Sequence, residues 1–227
     1  MFRQRRRVTS AIAAFFLVAT GAAVPQAHGA VDDCAPGNPL TPEAEMFATN
    51  NRDAIADPAD PRLQDQLEPF ESQVDGTVLA NAALPVGSDL VHGVYWSEDM
   101  QQLTFEPSRE FHLACIDEDE LTHIAENVAS QFGQESVLIF SYRPDGGPTG
   151  DSFIADVPGV DQRRFFDALK ADPDVRSRLG GGSISQDGSL VLVAADRDTD
   201  VAKRVVAASG GELDMATVRQ GTSRFVP

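Results

Sequence analysis

Between Arg109 and Phe132 the hydrophobic pattern changes period, and that change limits the folds open to the chain. From Arg109 to Cys115 the residues alternate: Phe111, Leu113 and Cys115 face one way, Glu110, His112 and Ala114 the other. That is the signature of a half-buried strand. From Asp117 onward Leu121, Ile124, Val128 and Phe132 recur at helical spacing, and Gly133 follows as a stop signal. Ser136 to Tyr142 is then apolar on both faces, as expected of a strand covered from both sides. Strand, helix and covered strand in direct succession require a sheet that carries helices.

The pattern recurs along the chain. His92–Trp96 and Leu103–Phe105 read as two short strands joined by a loop, and Phe153, Ala155 and Val157 alternate along another. Phe165, Phe166 and Leu169 mark a helix, and Val175 and Leu179 a further short turn. Asp187-Gly188 between Ser183–Ser185 and Leu190–Ala195 is a hairpin signal. Asp198–Ala208 reads as a helix, with Leu213–Val218 and Ser223–Val226 as closing strands. Val94–Tyr142 and Ser183–Val226 thus share an order of hairpin, helix and strand. The expected class is α+β: a mixed, largely antiparallel sheet with helices mainly on one face, two ferredoxin-like halves being one arrangement of it.

Charge divides the chain. The net charge is −17, but residues 1–30 carry four arginines and no acid, so the remainder stands at −21. Clustered cations are lacking, which excludes nucleic-acid binding and opposes docking on anionic lipid. Residues 1–29 read as an export signal: a basic start, an apolar run from Ala11 to Ala23, and Ala27 and Gly29 at the cleavage positions. The apolar run is short for a membrane span, so a secreted monomer with no membrane segment after cleavage is expected. Residues 30–89 then form an acidic, Pro-rich arm with short helices, one over Pro42–Phe47 capped by Thr41 and another over about Arg62–Val74. Residues 90–227 form the globular domain. Cys34 and Cys115, an even pair in an oxidising setting, are expected to join arm to body by a disulfide.

The usual catalytic and nucleotide signatures are absent, and no cofactor is implied. Gly180-Gly181-Gly182-Ser183 precedes a hairpin with no helix after it to attract an anion. Asp196–Asp200 lacks the glycine and glutamate of a calcium loop and reads as a helix cap. Three groups remain as candidates. His112 shares a strand face with Glu110 and has Arg109 close in sequence, which suits an oriented general base. Tyr95, Trp96 and Phe105 are candidates for lining a ligand pocket. Asp117, Glu118, Asp119 and Glu120 exceed what a helix cap needs and are the candidate cation ligands.

Phe47–Asn51 through Asp57–Leu63, Ser108–Phe111, Glu135–Leu138 and Leu179–Ser183 carry a further signal. Together they resemble a group of small secreted proteins of high-GC Gram-positive bacteria with no assigned activity. The resemblance implies export and one compact domain, and no chemistry. The leading expectation is a soluble secreted binding protein for an extracellular ligand or protein. The alternatives are a secreted hydrolase using His112 and Glu110, and an inhibitor or propeptide-like module. A concave pocket holding His112 and Glu110 with a Ser, a Cys or a second acid within hydrogen-bond reach would favour the hydrolase, and an open face would oppose it.

Overall fold

A computed structural model describes residues 42–143 and 150–227. The alternation at Arg109–Cys115 belongs to a ribbon much longer than its pattern suggests. β2 (Leu84–Ser97) and β3 (Gln102–Ala114) pair antiparallel along almost their whole lengths, with a bulge between Pro85 and Gly87. One end of this ribbon pairs with β1 (Ala44–Ala48), which in turn pairs with β4 (Val137–Tyr142). At the other end β2 pairs with β6 (Gly181–Ser185), and the sheet continues through β7 (Leu190–Ala195), β5 (Ser152–Val157) and β8 (Arg219–Val226) back to β4. The result is a closed antiparallel barrel in the order β1-β3-β2-β6-β7-β5-β8-β4.

This overturns the expectation of an open α+β sheet with helices mainly on one face. Closure rests on β1, in the segment expected to be a helix over Pro42–Phe47. Thr41, Pro42 and the acids that follow do suit a helix start. Pairing on both sides outweighs that local preference, and Glu43 extends it: its amide donates to the Leu113 carbonyl at 2.7 Å and its carbonyl accepts from the Tyr142 amide at 2.8 Å. A strand paired on both edges also leaves no exposed edge.

The helices wrap the barrel from outside in two groups. α1 (Glu68–Ala80) and α2 (Glu118–Phe132) cover one side, where Phe70, Val74, Leu121, Ile124 and Val128 pack on Met46, Phe111, Leu113 and Ile139. α3 (Gln162–Ala171), α4 (Pro173–Arg178) and α5 (Thr199–Ala208) cover another, with Phe165, Leu169, Val201 and Val205 on Phe153, Leu192 and Val94. Strand alternation sends the other residue set inward. Phe47, Val91, Phe140, Ile154 and Val191 form a third core inside the barrel and fill its waist.

Other expectations shift at their boundaries. The helix expected from Arg62 begins at Glu68, after a 3-10 turn over Pro61–Gln64 that buries Leu63. Leu213–Val218 is irregular and contains a turn, while β8 begins at Arg219. Within residues 30–89, Ala44–Ala48 is barrel strand β1 and Glu68–Ala80 is the packed helix α1. The described residues contain no pair of cysteines that could form the expected Cys34–Cys115 disulfide, because Cys34 and the export segment lie outside them. Among the described residues the segment is held by the ladder of β1 and the apolar face of α1.

Candidate functional site

Inward-facing residues at one end of the barrel are charged, because the apolar waist stops before the strand ends. β1 contributes Glu45, two residues before inward Phe47. β3 contributes Glu110 and His112, between outward Arg109, Phe111 and Leu113. β4 contributes Tyr142, β2 Asp89, β5 Asp156 and β8 Arg219. Registers bring these together: Glu45 pairs with His112 on one side and Phe140 on the other, and Asp89 pairs with Glu110.

Glu45 is the hub, and it is fully buried. Its Oε2 lies 2.5 Å from Nδ1 of His112, while its Oε1 accepts from the Tyr142 hydroxyl and stands 3.4 Å from Nη1 of Arg219. The second ring nitrogen of His112 lies 3.0 Å from Asp89 Oδ2. Arg219 reaches Asp156 at 3.2 Å and stacks 4.7 Å from the Tyr142 ring centroid. Two carboxylates on one imidazole favour imidazolium: the hydrogen bond to Glu45 outweighs burial and pushes the His112 pKa up to about 9. Burial, helped by the charge of Glu45, pushes Glu110 up to about 8. Burial also raises the Tyr142 phenol, with Glu45 adding to it.

Glu110 differs from its neighbours. It is 4 % exposed, yet among the described residues its carboxyl group makes no hydrogen bond or ion pair. Its floor position opens into a pocket of about 440 Å³ that Asp89, His112, Asp156, Ser185, Asp187 and Arg219 help to line. Acids outnumber cations around this mouth. Glu45, Glu110 and His112 each offer a ligand atom within 4.8 Å of the other two.

The remaining sequence candidates separate. Arg109 points outward, where it binds Gln66 O at 2.8 Å, Ser88 Oγ at 2.8 Å and Glu71 at 3.1 Å; it braces α1 and does not reach His112. Tyr95 faces inward at the opposite mouth, where burial and the nearby Glu106 raise its phenol. Its ring covers Gly93, where a Cβ would come within 2.5 Å of it. Trp96 and Phe105 face outward. Trp96 lies under the Arg176 guanidinium at 4.6 Å, and Phe105 packs edge-on against Phe166 at 5.4 Å. The aromatic trio is therefore divided between two faces. Asp117–Glu120 opens α2: Asp117 accepts from the Glu120 amide at 2.9 Å, and Glu120 reaches back to the Asp117 amide, a complete capping box.

Glu45, Tyr142, Arg219, Asp89 and Asp156 were not singled out by sequence. The usable signal was the alternation Ala44, Met46, Ala48 against Glu45, Phe47, which is visible only if the segment is read as a strand.

No family model matches the chain, and no curated protein matches it. A solved structure described as a "putative monooxygenase from Lactobacillus acidophilus NCFM" is similar at 15% identity, covering 82% of this chain and 96% of that one, with a TM-score of 0.24. At that score the likeness carries no argument about fold or function. No helix among the described residues is long and apolar enough to cross a membrane.

Proposed function

We propose that the chain is a binding protein whose acidic barrel mouth receives a small, positively charged ligand. The observation that carries this is Glu110. A buried carboxyl group without a hydrogen-bond partner is costly, and here it faces an open pocket among further acids, where a cation would favour its ionised form. A ligand cation supplies the missing partner, while Asp89, Asp156 and Asp187 at the rim draw it in. The apolar waist behind the floor keeps water from that side and strengthens the interaction.

The hydrolase alternative gains a concave pocket and a second acid at His112. It loses the free imidazole nitrogen that a general base needs, because both ring nitrogens face carboxylates. Binding is therefore the reading preferred. The test is a thermal-shift screen of the purified chain with small cations (primary amines, guanidinium, quaternary ammonium, divalent metals) alongside anions of similar size. Support is a cation that raises the melting temperature of the wild type and not of Glu110→Gln. A response to anions alone, or to no cation, overturns the reading.

A further inference from the structure

Resting on that reading and narrowing it, we infer that Glu45, Glu110 and His112 bind one divalent first-row transition-metal ion. The three ligand atoms come from two adjacent strands and converge within 4.8 Å of one another. Ligand atoms about 2.1 Å from a shared ion stand roughly 3 to 3.4 Å apart in cis or tetrahedral positions, so side-chain rotation must adjust these separations to seat it. Nδ1 of His112 and Oε2 of Glu45 are instead closer than two ligands of one ion, at 2.5 Å, because they share a proton. The ion replaces that proton and the proton that Glu110 holds at neutral pH, and both leave to solvent.

Three features make this more than a cluster of acids. Glu110, buried and without a hydrogen-bond partner among the described residues, is aimed at the other two groups. The supporting contacts have the form that orients metal ligands: Asp89 holds the far nitrogen of His112, and the Tyr142 hydroxyl and Arg219 hold the far oxygen of Glu45. The charge of Arg219 is shared with Asp156, which limits its repulsion of an ion. The third feature is donor type. One imidazole and two carboxylates suit zinc, manganese, cobalt or ferrous iron, whereas calcium asks for six to eight oxygens. The pocket side of the site leaves positions for water or a ligand atom.

The experiment titrates the chelator-treated full chain with Zn²⁺ and with Mn²⁺ by calorimetry, and follows Co²⁺ by its visible absorption. The expected result is one ion per chain, with affinity about 100-fold weaker in Glu110→Gln and about 10-fold weaker in Asp89→Asn. Asp119→Asn, in the acidic first turn of α2, leaves affinity unchanged and controls for loose binding to surface acid. Glu110→Gln is close to isosteric and Asp89 is largely exposed, so both variants should fold, which circular dichroism checks. Binding that survives Glu110→Gln, or that disappears in Asp119→Asn, overturns the metal site. If a small amine binds in a Glu110-dependent way and no metal does, the metal inference fails and the cation-binding reading stands. If neither binds, both fail.

Discussion

Glu106 offers a test of the barrel interior that does not depend on any ligand. It faces inward on β3 at the mouth opposite Glu110, and burial alone pushes its pKa up to about 7 from 4.5. In the unfolded chain the same carboxyl ionises near its ordinary value. Below that value both states are protonated and the group has no effect. As pH rises from about 4.5 to about 7 the unfolded chain gives up a proton that the folded chain retains, so stability falls; above about 7 the loss is complete. At about 1.4 kcal/mol per pH unit, the loss amounts to about 3 kcal/mol. Glu106→Gln cannot ionise and should lack this part of the decline. Urea unfolding of both proteins, followed by circular dichroism between about pH 4 and about pH 8, isolates it, because contributions from other groups cancel in the difference. The variant's stability relative to wild type should rise by about 3 kcal/mol across that range, whatever its offset at acidic pH. A difference that stays constant with pH would show that Glu106 is solvated and not buried inside the barrel.

Two further substitutions probe closure and packing. Gly181→Ala should destabilise by about 2 kcal/mol in chemical denaturation, because a Cβ there meets the backbone carbonyl of Val94 across the β2–β6 pairing; an unchanged midpoint would argue against that seam. Phe140→Ala should cost about 4 kcal/mol by removing a fully buried ring from the barrel waist, and a cost under about 1 kcal/mol would mean that the interior is not packed as described.

Much of the outer layer was legible in the sequence, because its helices and strands are amphipathic on a local scale. Leu121, Ile124 and Val128 mark the buried face of α2, and Asp187-Gly188 marks the turn between β6 and β7. The barrel was not legible, because closure depends on which strands meet and not on what each resembles alone. Ala44–Ala48 carries an alternation only five residues long beneath a strong helix-start signal, and its partners lie more than 60 residues away. The site followed the same division. His112 and Glu110 were visible as two polar residues on one strand face. Glu45, which sits between His112, Tyr142 and Arg219, was hidden by the assignment of its segment to a helix. Arg109, next in sequence to Glu110, proved to be on the opposite face, as a period of two requires.

Anomalous X-ray diffraction from crystals grown with Zn²⁺ or Mn²⁺ tests the proposed metal site at the Glu45, Glu110 and His112 corner of the acidic mouth. The account predicts one dominant peak within bonding distance of His112 Nδ1 and the carboxylates of Glu45 and Glu110. An empty mouth, with peaks only at surface acids such as Asp117–Glu120, would contradict it.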